Sequence, residues 1–392
     1  MANMYILYGD GIHDDTNAIQ EMIDQAVEVV LPAPKVHYLI SRPLEVPSNF
    51  RLVLPRYAEI RLAKGSNCYM LKNKTVTDRQ ERTKEKLFDF LNEYSPDAPC
   101  HNIEIVGGIW NFNNMEQNPN PLRAGFTPAG YTGIGFLFYN VKNLRISSLT
   151  LKNPTNFAVT LDTVSYFTID HIIFDFNLGN PCAINMDGIH LNGNCHFGVI
   201  KDLKGACYDD LVALNAHEGS KGPITNIQID GLHAEVCHSA VRMLTVSDIV
   251  ENIHISNVYG TYYQYCIGIT KYYKGETTGY FDGITLDNIY ASKASRDGIY
   301  PWPKTYVFPL IYMQEEIYAK NVKISEVHRK EYCIPVETIF VGENAVVEKM
   351  IVDHVVTENH TGETMPVIVK KGEVQELTVQ NIRSNGDPVI VE

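Results

Sequence analysis

A short apolar–polar–apolar phrase recurs along this chain, and it constrains the fold more than any other feature. It reads Ile103-Glu104-Ile105, Leu144-Arg145-Ile146, Phe167-Thr168-Ile169 and Gly198-Val199-Ile200. It returns as Ile227-Gln228-Ile229, Ile253-His254-Ile255, Ile284-Thr285-Leu286, Val322-Lys323-Ile324, Ile351-Val352 and Leu377-Thr378-Val379. From Ile146 onward the third positions are separated by as few as 23 residues (Ile146 to Ile169) and as many as 38 (Leu286 to Ile324). That spacing falls in the range of solenoid repeats, whose single copies cannot bury their own apolar face and must stack. Alternation with β-branched residues at the apolar positions identifies each phrase as a half-buried strand.

An antiparallel sandwich would instead require turn signals every ~8–12 residues and two-residue Asn-Gly connections, and such hairpins do not separate these phrases. Asparagine or aspartate flanks many of them, as at Asn143, Asn226, Asn252, Asp287-Asn288, Asn321 and Gln380-Asn381, which suits corner turns. The expected fold is all-β, a single right-handed parallel β-helix over residues 1–392. Residues from about 1 to 35 would form an N-terminal cap, and residues from about 36 to 392 coils with loop insertions. Within the cap, Asp14-Asp15-Thr16 precedes Ile19, Met22, Ile23 and Ala26, which share one helical face. This capped amphipathic helix would close the open apolar end of the solenoid. The charge-rich stretch Lys72 to Lys86 is expected to be an exposed loop or short helix.

The formal charge of −13 excludes a nucleic-acid surface, which needs clustered Lys and Arg. It also counts, more weakly, against a strongly polyanionic substrate. No apolar run approaches a membrane span. The N-terminus lacks a basic segment followed by an apolar one, so a cytoplasmic location is expected. The eight cysteines show no CxxC pair and no zinc spacing. They are expected to be mostly buried small apolar residues, with disulfides the lesser alternative and no metal site or cofactor.

The opening Gly9-Asp10-Gly11-Ile12-His13-Asp14-Asp15-Thr16-Asn17-Ala18-Ile19-Gln20, followed by Val29-Val30-Leu31-Pro32, resembles the N-terminal cap and first strand of pectin-lyase-like β-helix proteins. Asn185-Met186-Asp187-Gly188 and Asp209-Asp210-Leu211-Val212-Ala213-Leu214-Asn215 are similar to two segments of glycoside hydrolase family 28, the polygalacturonase group. The resemblance implies that Asp187 is the general acid and that Asp209 and Asp210 hold and activate the water. It also implies a substrate-site histidine one turn later, for which His238 is the candidate. The family's Arg-Ile-Lys is not intact. Gly268-Ile269-Thr270-Lys271 stands in its place, so the arginine is missing and Lys271 is displaced.

Hydrolysis of a glycosidic bond needs an acid for the leaving oxygen and a carboxylate that activates water or attacks carbon. Asp187 and Asp210 lie about one coil apart in sequence, which on stacked strands brings backbones to about 4.8 Å. Inverting geometry, implied by the resemblance, would separate acid and base by about 6.5–9.5 Å. Neighbours on a flat strand point to opposite faces, so Asp209 and Asp210 share a cleft only where the strand bends. Asn185, His238, Arg242, Lys271, Glu218 and Trp302 are the candidate substrate-binding residues. Arg242 is suited either to a substrate hydroxyl or carboxylate or to pairing with an aspartate. Glu218 is either a reserve acid or base or a solvated loop charge.

Tyr262, Tyr263, Tyr265, Tyr272, Tyr273, Tyr300, Trp302 and Tyr306 crowd the later coils, where aromatic rings can stack on sugars. Loops near Gly108-Trp110-Asn114 and Tyr300-Trp302 would wall one end of the cleft. The expected activity is exo-acting hydrolysis of an oligosaccharide, one derived from pectin being a candidate. Its partner is thus a carbohydrate rather than a nucleic acid or membrane. The alternatives are a Ca²⁺-dependent uronate lyase using Arg242 or Lys271 as base, and a non-catalytic carbohydrate-binding β-helix.

Overall fold

The computed structural model describes residues 6–76, 99–118, 134–178, 185–272, 277–295, 297, 299 and 307–392. The chain divides into two compact units, Met1–His190 and Leu191–Glu392.

In the first unit the helix Thr16–Gln25 buries Ala18, Ile19 and Ile23 and packs against the strands Glu28–Val30 and Leu44–Val46. Ala26, expected on the buried face, is the exposed C-cap. Asp15, the residue directly before the helix, makes no side-chain cap bond. Its carboxylate instead accepts the backbone N–H groups of Tyr8, Gly9 and Leu39, tying the chain start to the first coil. Asp14 accepts the N–H of Thr16 at 2.9 Å, so the capping role moves back one residue.

Parallel strands then stack in register. Glu28–Val30, Phe50–Val53, Cys100–Val106, Ile134–Ser147 and Phe157–Asp175 follow one another. Ile103, Leu144 and Phe167 align in one row and Ile105, Ile146 and Ile169 in the next, all of them buried. The sequence phrase is therefore the core ladder itself. Two of its neighbours differ from expectation. Lys72 and Asn73 belong to the strand Leu71–Asn73 and are buried, with Lys72 Nζ 3.0 Å from Glu45, while 77–86 of the same stretch lie outside the described residues. Trp110 does not wall a cleft. It is fully buried in the strand Ile109–Asn111, donating its indole N–H to Gly107, because a large ring fills a coil interior better than a solvent loop.

In the second unit His196–Lys204, Ile224–Cys237, Ile249–Tyr262, Gly279–Lys293, Ile317–Glu331, Val346–Asn359 and Glu373–Ser384 stack in parallel. Ile229, Ile255, Leu286, Ile324, Val352 and Val379 form one continuous row. Each long strand is bent by a residue of positive φ at an equivalent place: Asp202, Gly231, Asn257, Asn288, Glu326, His354 and Asn381. The left-handed region costs an L side chain about 1–2 kcal/mol except where a short polar group bonds locally. Asparagine supplies this at a second corner, where Asn252 donates to Asn226 at 3.2 Å. Of the flanking residues read as turns, Asn143, Asn226, Asn252, Asn288 and Asn381 have positive φ. Asn321 does not, and bonds Asp282 instead.

The architecture is a right-handed parallel β-helix with one N-terminal helix. Cys100, Cys195, Cys207, Cys237 and Cys266 are buried free thiols, whereas Cys68 is partly exposed and Cys333 exposed, and Cys182 lies outside the described residues. Among the described residues no helix is long and apolar enough to cross a membrane.

Candidate active site

The second unit gathers a carboxylate pair, an imidazole and a guanidinium on two neighbouring strands. Asp210–Asn215 pairs in parallel with Ser239–Leu244, which sets Asp210 opposite Ser239 and Ala213 opposite Arg242. Asp209 and His238 immediately precede these strands, where the chain bends. The bend removes the alternation problem, because both carboxylates reach the same imidazole. His238 Nδ1 lies 3.4 Å from Asp209 Oδ1, 3.8 Å from Asp210 Oδ1 and 3.1 Å from Ser239 Oγ. The ring of Tyr263 meets His238 edge-on at 5.3 Å.

The two aspartates differ in environment. Asp210 is fully buried, accepts the Ser239 hydroxyl and sits 2.8 Å from Arg242 Nε. Burial alone would raise its pKa, but the Arg242 charge, then His238 and Ser239, outweigh it and hold the carboxyl below its ordinary value. Burial opposes the charge on Arg242 as well. Asp210, with Tyr265, Asp209 and Glu218 behind it, reverses that effect and pushes the guanidinium well above its usual pKa. Asp209 keeps 17% of its side chain exposed, so it is the carboxylate of the pair that meets solvent.

The strand Ile267–Thr270 continues the stack and places Gly268 beside Arg242, followed by Tyr312. A Cβ at Gly268 would come within 2.5 Å of the Tyr265 ring, so the tyrosine occupies the space a side chain there would need. Tyr265 in turn packs against Phe308 and Tyr312, with ring centroids 5.7 and 5.9 Å away. Lys271 is buried at the end of this strand and pairs with Glu316 at 3.1 Å. Glu218 is buried rather than solvated, and accepts the Asn215 amide at 3.0 Å.

Asp187 belongs to the first unit. Its carboxylate lies 2.6 Å from His190 Nδ1, with side chains 1% and 0% exposed, and His190 stacks on Phe157 at 3.8 Å. Asn185, in the left-handed region at φ 52°, precedes it. Trp302, Tyr273, Tyr300 and Tyr306 lie outside the described residues.

His190 and Ser239 escaped the sequence reading. Their signals were position alone, three residues after Asp187 and directly after His238. Asp209, Asp210 and His238 offer ligand atoms within 4.8 Å of one another, a spacing that could hold a metal ion. Arg242 already supplies a fixed positive charge at Asp210, which weighs against a cation there.

A parallel β-helix carrying buried and half-buried carboxylates beside an imidazole is the class that fold and site define. No protein-family model matches the chain. The exopolygalacturonase of Thermotoga maritima is similar at 15% identity and TM-score 0.57, over 96% of this chain and 89% of that one. A surface adhesin of Streptococcus pneumoniae matches at 15% identity and TM-score 0.57, over 98% and 97%. The A-module of a mannuronan C-5 epimerase from Azotobacter vinelandii matches at 12% and 0.59, over 96% and 97%. Likeness at this level establishes the fold.

Proposed function

We propose that this β-helix is a glycoside hydrolase that cleaves an oligosaccharide by aspartate-based acid–base catalysis, exo-acting and inverting. The observation that carries this reading is the convergence of Asp209, Asp210 and His238, with Asp210 kept ionised by Arg242. Asp209, with 17% of its side chain exposed, takes the proton of the attacking water. Asp210 and Arg242 are locked together and fix the electrostatics around it, while His238 bridges the two carboxylates. Asp187, matched by its Asn185-x-Asp187-Gly188 motif, is assigned the acid role. Its carboxylate lies 2.6 Å from His190 Nδ1. Hydrolases and non-hydrolases both occur among the similar structures, so the residues carry the proposal and the fold does not.

A lyase would need Arg242 or Lys271 to abstract a proton. Arg242 holds its own proton tightly and Lys271 is paired with Glu316, which favours the hydrolase. The deep burial of Asp187 and Asp210 favours a second reading, a non-catalytic carbohydrate-binding coil. Screening aryl glycosides and pectic oligosaccharides separates these readings. Turnover is expected to persist in chelator without an ultraviolet-absorbing product. It should fall by about 100-fold or more in Asp209→Asn and Asp187→Asn. Binding without turnover in the unaltered protein would establish the second reading.

A further inference from the structure

We propose that the sugar ring engaged at Asp209 and Asp210 is neutral, a pyranose bearing no carboxylate; this rests on the hydrolase reading and names its substrate class.

The argument is an accounting of charge in the second unit. A carboxylate-bearing sugar must leave water and recover its hydration from cations or N–H donors in the site, since a buried unpaired charge is costly. Among the described residues, the cations that face the cluster are already engaged. Arg242 lies against Asp210 at 2.8 Å, and Lys271 against Glu316 at 3.1 Å. The backbone at Lys271 is pinned too, because its N–H and that of Tyr272 both donate to the Gln314 side chain at 2.8 Å. His238 faces two carboxylates and a hydroxyl.

The position beside Arg242, where a further basic side chain would project along the same row, is Gly268, and the Tyr265 ring fills the space. Among the described residues, Asp209, Asp210 and Glu218 outnumber Arg242, so an incoming carboxylate would meet excess negative charge. At the reduced dielectric of a protein surface, like charges about 4 Å apart repel by enough to disfavour binding tenfold or more.

Beside Arg242 the chain packs aromatic rings rather than basic side chains. Tyr265, Phe308 and Tyr312 pack together beside Arg242, with centroids 5.1 to 5.9 Å apart. Tyr265 and Tyr312 are buried there and the Tyr312 hydroxyl donates to Glu315 at 2.8 Å, so these side chains give a carboxylate no positive charge to pair with. Lys221 stands exposed in the loop after Glu218 and adds its charge near His217, which makes it the control residue.

The test uses pairs of sulfur-linked disaccharides that differ only in a hydroxymethyl group or a carboxylate at C5: galactoside with galacturonide, glucoside with glucuronide, mannoside with mannuronide. Binding to the unaltered full chain is measured by calorimetry near pH 7, where the uronides are ionised. Sulfur linkage resists cleavage, so affinity is read whether or not the oxygen-linked sugars turn over. Absence of turnover would thus sink the hydrolase reading without touching this one. At least one neutral sugar is expected to bind at least tenfold more tightly than its uronide, and Lys221→Gln should leave that ratio unchanged. Equal or tighter binding of the uronides, or failure of every neutral member to bind, would overturn the proposal.

Discussion

Replacing Asp210 by asparagine keeps the shape of the side chain and leaves Ser239 an oxygen to donate to, but removes the charge opposite Arg242. A buried guanidinium then loses its counter-charge, and breaking such a pair from one side costs about 3–5 kcal/mol. The Arg242 side chain retains 17% exposure, which lets water recover part of that loss. The expected destabilisation is therefore near the lower end, about 3 kcal/mol. Urea unfolding of the full chain followed by far-ultraviolet circular dichroism measures it, with Arg242→Met and the double variant completing a cycle. Removing both charges leaves neither uncompensated, so the double variant should recover most of the loss, with a coupling of about 2 kcal/mol. The pH dependence follows in sign. Because the folded carboxyl titrates below its unfolded value, its contribution is present above the ordinary carboxylate range and is lost as pH falls through the folded pKa. Asp210→Asn should flatten that acid limb. Single losses that simply add, or an Asp210→Asn protein as stable as the parent, would refute the claim that Arg242 depends on Asp210.

Two further outcomes test other parts of the fold. Lys293 is almost wholly buried among Arg329, Glu331, Cys266 and Glu337, and burial, followed by the Arg329 charge, lowers its pKa to about 7. The unfolded chain holds that proton up to a higher pH, so stability should rise between about pH 7 and 10, on the order of 1 kcal/mol per pH unit. Thermal melts of Lys293→Met should lack the rise. Asn252, at φ 55° and bonded to Asn226, should lose about 1–2 kcal/mol as alanine but less as glycine, because glycine enters the left-handed region freely. Urea midpoints of the two variants decide between backbone strain and side-chain bonding.

The coil was legible because its core ladder repeats a local pattern. Ile229, Ile255 and Leu286 announce themselves by alternation, and stacking follows from the inability of one turn to bury itself. Corners were legible where asparagine marks them. Glu326 and His354 occupy equivalent corners without a residue signature, since there the stack imposes the conformation on whatever side chain is present. Trp110 and Lys72 misled for the same reason: local composition suggested exposure, while register within the coil buried them. At the site, the Asp209-Asp210 pair and His238 were visible as types and spacing. The contacts that give them distinct roles, Ser239 and Arg242 on Asp210, depend on strand pairing across some 30 residues of chain. No local pattern encodes that.

The column of bent residues also bears on how such a chain can change length over generations. Asn257, Asn288 and Glu326 occupy the same place in successive turns although 31 and then 38 residues separate them. A genetic duplication or excision cut at two such corners would begin and end in one backbone conformation and leave every inward side chain facing inward. Losing a single residue within a strand would instead turn the remainder of that strand inside out. The corners are thus natural splice points, where whole turns can be gained or lost without rewriting the interior.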